Sequence, residues 1–145
     1  MGLKTLIAVA LLLAAAGAAQ AQTTLCGQKV DHAPITAGEL AGAWEGEYSA
    51  MNSYQRTYHR CLGMLIWSPA ADGSVTAQYI FGDTGKFPGQ GSFAAKPSQG
   101  SWTGKLTGNV LTLGPLRNLK PSGSKRLEGN YVDRFGSGPA WFSRK

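Results

Sequence analysis

The stretch Leu40-Ala41-Gly42-Ala43-Trp44-Glu45-Gly46-Glu47-Tyr48 decides the fold of this chain. From Trp44 onward, Trp44, Gly46 and Tyr48 share one side, and the glutamates between them share the other. A period of two, with bulky aromatic side chains on one side and charges on the other, predicts a β-strand with one buried face.

The same order of residues returns in two later segments, 102–106 and 127–131. Each has a bulky apolar residue, a polar residue, a glycine, a polar residue and a second bulky apolar residue. A glycine on the inward face of a strand indicates a bend, a bulge or a close backbone approach. Three such strands in a short chain predict a sharply curved sheet that closes into a barrel.

Residues 1–21 have the pattern of a signal peptide. Lys4 precedes an apolar run over residues 6–16, and Ala19-Gln20-Ala21 is a small-x-small cleavage site. The alternative is a membrane anchor, but a run of about 11 apolar residues is shorter than the ~20 that span a bilayer. We therefore expect a mature chain that begins at Gln22, has no transmembrane segment, and is periplasmic or secreted.

The mature chain is predicted to be an arm over residues 22–42, followed by a barrel domain over residues 43–145. Its two cysteines, Cys26 and Cys61, lack the close spacing of a redox motif. In an exported chain of this length, two cysteines indicate one structural disulfide. That bond ties the arm, which we expect to be polar and irregular, to an early strand.

Turn signals and alternation predict eight short strands, at residues 43–50, 56–67, 74–81, 92–96, 101–106, 109–113, 126–133 and 140–144. Residues 34–41 are predicted to form one helical turn, and residues 82–91 and 114–125 to form a glycine-rich and a basic loop. The pattern favours a barrel or a sandwich. We predict an all-β, single-domain, antiparallel up-and-down barrel.

Gly42 and Trp44, at the opening of the first strand, resemble the Gly-x-Trp signature of lipocalins and of their calycin relatives, and avidins open similarly. The resemblance implies a small barrel in which Trp44 plugs one end and an arginine from a late strand, with Arg144 as the candidate, packs over it. A core tryptophan at the start of an unrelated β-barrel gives the same pattern. A fainter resemblance links residues 137–141 to periplasmic inhibitors of c-type lysozyme, which are also small disulfide-bonded barrels.

Charge is distributed unevenly along the mature chain. The full chain has 14 Lys and Arg against 8 Asp and Glu, so removal of Lys4 leaves a net charge of +5. Residues 96–145 contain nine basic and two acidic residues. This half predicts an anionic envelope partner, contacted by Arg117, Lys120 and Lys125. The alternative is solvated surface charge, and we do not expect nucleic acid as the partner.

Signals for catalysis are weak. His32 and His59 have no companion at metal-ligand spacing, and no Gly-x-Ser-x-Gly elbow is present. We expect neither a metal nor a cofactor. Glu45 and Glu47 lie two apart on one face of a strand, where paired carboxylates either perform acid/base work or form a solvated surface.

Tyr58, Arg60 and Tyr79 are the expected ligand contacts at the mouth of the barrel. The sequence therefore predicts an exported, non-catalytic binding or inhibitory module, whose ligand is a small apolar molecule or an anionic envelope component. A small hydrolase that uses carboxylates at the barrel mouth is the alternative, and a purely structural or interaction domain is a third interpretation.

Overall fold

The computed structural model describes residues 19–51, 57–82, 98–134 and 136–145. For residues 51 and 57–59 it describes the backbone alone. The described residues contain no helix and form ten strands: β1 (Ala21–Leu25), β2 (Gln28–His32), β3 (Gly42–Met51), β4 (Thr57–Ile66), β5 (Ser74–Gly82), β6 (Ser98–Thr107), β7 (Val110–Leu113), β8 (Leu116–Pro121), β9 (Arg126–Val132) and β10 (Ser137–Arg144).

Strands β3 to β10 form a closed antiparallel barrel, in which each strand pairs with its neighbours in sequence and β10 returns to pair with β3. This confirms the predicted fold class. The seam between the last and first strands sets Phe142 opposite Gly46 and Arg144 opposite Trp44. All eight barrel strands therefore have one face toward a common interior.

Strand β8 corrects the prediction of a long basic loop over residues 114–125. Leu116 and Leu119 are fully buried, whereas Arg117 and Asn118 between them are both exposed. Asn118 has a φ of 52°, and the pairing of β8 shifts register between Arg117 and Lys120. This bulge breaks the period of two, which hides the strand in the sequence. The predicted strand at 92–96 and most of the loop at 82–91 lie outside the described residues.

The three repeated glycines lie where neighbouring backbones come close together. A β-carbon placed on Gly46 would lie 2.7 Å from Cα of Phe142 and would overlap the carbonyl oxygen of Trp141. Gly104 and Gly129 meet the backbones of β7 and β8 in the same way. The close approach predicted from the repeated motif is therefore present in all three strands, and it allows the sheet to curve tightly.

Residues 21–32 form a β-hairpin, so the prediction of an irregular arm is wrong for this segment. Its turn is Cys26-Gly27, with φ values of 50° and 75°, and Leu25 pairs with Gln28 across it. Positive φ at both central residues is the signature of a type I′ turn, whose twist suits a two-residue hairpin loop. The short alternating runs on either side of Cys26-Gly27 were the available sequence signal.

The hairpin covers the outside of the barrel at β4 and β5. Leu25 and Val30 of the hairpin pack with Leu65 and Ile80 in a buried cluster separate from the barrel interior. The predicted disulfide between Cys26 and Cys61 is present, with a Cα–Cα distance of 5.8 Å. The two cysteines are 35 residues apart in sequence, and a disulfide that closes a loop of this length stabilises a fold by about 4 kcal/mol in the chain-entropy model.

Residues 34–41 form no helical turn. The segment bends over the end of the barrel, where the Gly38 amide donates to the Ala41 carbonyl at 3.1 Å. Trp44 fills the interior just inside this end, and its Nε1 donates to the Leu40 carbonyl at 2.8 Å. The covering segment is therefore held by the tryptophan that opens the first barrel strand.

Replacing Trp44 with alanine should lower the free energy of unfolding by about 3–5 kcal/mol, because the side chain is fully buried and its removal leaves a large cavity. Trp141→Ala is the matched control, since Trp141 is only half-buried on the outer face of β10. Urea denaturation of both variants measures the difference. Equal losses in the two variants would contradict the interior role of Trp44.

Candidate functional site

The two ends of the barrel differ in construction. At one end, which we call the capped end, the residue 38–41 segment crosses the opening. Arg144 lies over Trp44, with Cζ 4.2 Å from the ring centroid, and its guanidinium donates to the carbonyls of Ala41 at 2.9 Å and Gly38 at 2.8 Å. Gly42 has a φ of 141°, and a β-carbon there would lie 2.7 Å from Arg144 Nη1. The cap thus requires glycine at position 42.

The opposite end is the barrel mouth, where β3 joins β4, β5 joins β6, β7 joins β8, and β9 joins β10. The connections at 52–56 and 83–97 lie outside the described residues. Six inward residues line the mouth and form what we call the mouth cluster: Tyr48, Arg60, Tyr79, Phe81, Trp102 and Tyr131.

The aromatic rings of the mouth cluster are in contact across the whole width of the barrel. Tyr48 stacks on Tyr131 with ring centroids 3.8 Å apart, and Tyr79 stacks on Trp102 at 4.1 Å. Phe81 lies between the two stacks and meets all four rings edge to face, at centroid distances of 5.3–6.3 Å. These are favourable geometries for aromatic pairs, so the cluster forms a continuous apolar platform.

Arg60 is the cation of the mouth cluster. It faces Tyr48 across the β3–β4 pairing, and its Cζ lies 4.9 Å from the centroid of the Phe81 ring. Arg60 also forms a side-chain hydrogen bond with Tyr48. Its Nε is buried and has no hydrogen-bond partner among the described residues. A buried donor without a partner is rare in folded proteins, so this N–H is a candidate contact for a ligand.

The two stacked tyrosines are held in the neutral form. Burial raises the pKa of Tyr48 above its ordinary value, against the lowering effect of Arg60. Burial also raises the pKa of Tyr131, helped by Tyr48 and Asp133. The Tyr131 hydroxyl donates to Asp133 Oδ2 at 2.8 Å, and Asp133 Oδ1 accepts from the Gly136 amide at 3.0 Å. Both phenols remain hydrogen-bonding hydroxyls at neutral pH.

The structure brings together two of the three residues predicted for the mouth. Arg60 and Tyr79 both belong to the mouth cluster, whereas the side chain of Tyr58 lies outside what the structure describes. Sequence reasoning did not assign Phe81, Trp102 or Tyr131 to a site. Each of these residues falls at an inward-facing position near the end of its strand, and this was the available signal. Only the closed barrel shows that those strand ends meet.

Two of the three predicted polyanion contacts do not lie on a loop. Arg117 and Lys120 project from the outer face of β8, whereas Lys125 lies in the connection between β8 and β9; all three are exposed. Arg117 donates to the carbonyls of Gly114 and Leu116. Nearby Arg126 forms an ion pair with Glu128 at 3.1 Å. Arg117 and Lys120 therefore belong to a strand, and the predicted loop position holds for Lys125.

Glu45, offered as a catalytic carboxylate, lies outside the barrel. It accepts a hydrogen bond from the Cys26 amide at 2.7 Å and forms an ion pair with Lys145 at 3.6 Å. Glu47 is on the same face, opposite Cys61 in the β3–β4 pairing. At the mouth, the carboxylate among the described residues is Asp133. Glu45 therefore anchors the hairpin instead of facing a ligand.

Groups that resemble metal ligands have other partners. Cys26, Glu45 and Cys61 lie close together, but the two sulfurs are joined as a disulfide and are not thiolates. His32 is nearly buried, with Nε2 2.7 Å from the Thr23 hydroxyl and Nδ1 2.7 Å from the Ala33 carbonyl. Its ring therefore helps to fix the end of the hairpin.

The raised pKa of Tyr48 and Tyr131 predicts a loss of stability in alkaline solution. An unfolded tyrosine releases its proton near pH 10, whereas these two keep theirs in the folded state. Above about pH 10 the unfolded state thus binds fewer protons, and stability falls as pH rises. Tyr48→Phe should show a smaller fall than wild type between pH 8 and 10.5 in urea titrations. An identical fall in both proteins would contradict the burial of the phenol.

The chain matches none of the protein-family models and none of the curated proteins against which it was compared. No helix among the described residues is long and apolar enough to cross a membrane. The structure itself is a small, closed, eight-stranded antiparallel β-barrel with one disulfide, and this architecture is consistent with calycin-type barrels.

Proposed function

We propose that the mature chain is an exported, non-catalytic binding protein that takes a small, largely apolar molecule at the barrel mouth. The observation that carries the proposal is the mouth cluster, in which five aromatic rings surround a half-buried arginine whose Nε has no hydrogen-bond partner among the described residues. Ligand sites are typically apolar and aromatic, with a few polar groups that fix orientation. The disulfide fits an oxidising compartment.

The ligand binds on the aromatic platform rather than deep in the barrel. Below the platform, the interior is filled by fully buried side chains that reach down to Trp44, among them Leu62, Met64, Leu113 and Phe142. An eight-stranded barrel is just wide enough for side chains to fill it. The accessible apolar surface is therefore near the mouth, where Tyr79 and Trp102 are only partly buried.

The chemistry of the mouth supports binding more than catalysis. General acid–base catalysis works best with a pKa near the operating pH, whereas burial moves the pKa of Tyr48 and Tyr131 away from neutrality. Asp133 is engaged by Tyr131 and by the Gly136 amide. Among the described residues, Asp133 is the carboxylate at the mouth that a hydrolase could use, because Glu45 supports the hairpin on the outer face.

We also infer a relationship of architecture to the lipocalin and avidin barrels. The support is the contact between Arg144 and Trp44, together with the glycine that makes room for Arg144 at position 42. The segment that resembles lysozyme inhibitors lies within β10, where Gly138 packs against the backbone of Ser49. Gly138 therefore has a structural role at the seam.

The apolar-ligand proposal is tested with N-phenyl-1-naphthylamine, a neutral probe that becomes fluorescent in apolar surroundings. Trp102→Ala should bind it at least about tenfold more weakly than wild type, a loss of about 1.4 kcal/mol, because the variant removes part of the platform. Leu106→Ala is the matched control. Leu106 is a partly buried residue of the same strand, but it lines a groove of about 260 Å³ at the capped end.

Unchanged affinity in Leu106→Ala together with a loss in Trp102→Ala supports binding at the mouth. A greater loss in Leu106→Ala would place the probe at the capped end and would contradict the proposed site. Failure of the wild-type protein to bind the probe would contradict an apolar-ligand function.

An anionic envelope component is the second candidate ligand, because Arg117, Lys120 and Lys125 are all exposed on the β8–β9 side of the barrel. Replacing all three with alanine should weaken lipopolysaccharide binding, and wild-type binding should fall with added salt, since exposed charges are screened over about 8 Å at physiological ionic strength. A neutral glycan is the control. Equal, salt-independent binding by both proteins would contradict this candidate.

A further inference from the structure

We infer that the barrel mouth recognises a compact aromatic carboxylate, with its ring on the aromatic platform and its carboxylate on Arg60. This inference rests on the proposed function and names the chemical class of its ligand. The position of the Arg60 guanidinium and the limited depth of the site support the inference.

The Arg60 guanidinium already has part of a binding site for an anion in place. Its guanidinium lies over Phe81, and its Nε–H is buried with no acceptor among the described residues. A buried donor without a partner is costly, and that cost is removed when an acceptor binds. Nε and the adjacent Nη form an edge with two parallel N–H groups, which matches the two oxygens of a carboxylate.

Arg60 is the polar group of the mouth cluster that favours an anion over a neutral ligand. Tyr48 forms a side-chain hydrogen bond with Arg60 and helps to hold its guanidinium at the mouth. The two Asp133 oxygens accept from the Tyr131 hydroxyl and the Gly136 amide, which fixes that carboxylate on the β9–β10 connection. In low-dielectric surroundings, the attraction between Arg60 and a bound carboxylate is stronger than it is in water.

The shape of the site favours an aromatic ring over a long alkyl chain. The rings of Tyr48, Phe81 and Tyr131 are themselves nearly buried, and the interior beneath them is filled down to Trp44. A flexible chain of ten or more carbons would have to displace these buried side chains to enter the barrel. A flat ring, however, can contact the partly buried Tyr79–Trp102 stack and meet other rings in stacked or edge-to-face geometry.

The test compares three probes by ¹⁵N-edited NMR titration of the oxidised mature protein: 2-naphthoate, the neutral isostere 2-naphthamide, and dodecanoate. The reporter is the Trp102 indole N–H signal, and the buried Trp44 indole is the internal control. Wild type should bind 2-naphthoate at least about tenfold more tightly than 2-naphthamide. Dodecanoate should bind more weakly than 2-naphthoate.

Arg60→Gln should remove the preference for 2-naphthoate, so that its affinities for 2-naphthoate and 2-naphthamide agree within about twofold. Arg60→Lys keeps the positive charge but loses the two parallel N–H groups of the guanidinium. Its preference for 2-naphthoate over 2-naphthamide should therefore be intermediate. Arg126→Gln is the matched control, because Arg126 is an exposed arginine at the start of β9, opposite Ser143 near the capped end, and it should behave like wild type. The comparison of probes on wild type needs no variant, so it holds even if Arg60→Gln does not fold.

Equal affinity of wild type for 2-naphthoate and 2-naphthamide, with the Trp102 signal shifting for both, would overturn the carboxylate inference and leave the proposed function standing. Tighter binding of dodecanoate would overturn the aromatic part. If none of the probes, N-phenyl-1-naphthylamine included, shifts Trp102, the inference and the proposed function both fail.

Discussion

The structure depends on the closure of the barrel between its first and last strands. At this seam β10 lies so close to β3 that a side chain at position 46 would overlap the backbone at Trp141 and Phe142. Gly104 and Gly129 allow similar approaches elsewhere in the wall. Closure gives every strand a partner on both sides and directs one face of each toward a shared interior. The apolar core and the mouth cluster both follow from this geometry.

Closure also makes the two ends of the barrel unequal. Arg144, near the end of the chain, lies over Trp44 and binds carbonyls of the segment that precedes β3, so this end is covered by local chain and one arginine. At the mouth, Arg60 has aromatic neighbours and a buried Nε without an acceptor among the described residues. The same residue type thus has different partners at the two ends, since Arg144 donates to backbone carbonyls whereas Arg60 contacts Phe81 and Tyr48.

The hairpin explains why the outer face of β4 and β5 is apolar. Leu65 and Ile80 point away from the barrel interior, yet both are fully buried beneath Leu25 and Val30. Gly63 and Gly82 leave room for Leu25 and Cys26 against the barrel wall. The disulfide and the bond from the Cys26 amide to Glu45 hold the hairpin there. One predicted catalytic carboxylate is thereby a structural residue.

The sequence by itself determined the all-β class, the barrel, the inward direction of Trp44 and Tyr48, and the disulfide, and it marked the repeated glycines as a bend, a bulge or a close approach. All of these follow from a period of two, from cysteine number and from the missing side chain of glycine, which are local properties. Strand β8 was missed because its bulge breaks that period of two. The hairpin was missed because its two alternating runs are short. Only the tertiary structure decided that Arg60, Phe81, Trp102 and Tyr131 meet, since contacts among strands far apart in sequence depend on register and closure. Tertiary packing likewise decided that the outward-facing Glu45 accepts a hydrogen bond from the Cys26 amide of the hairpin.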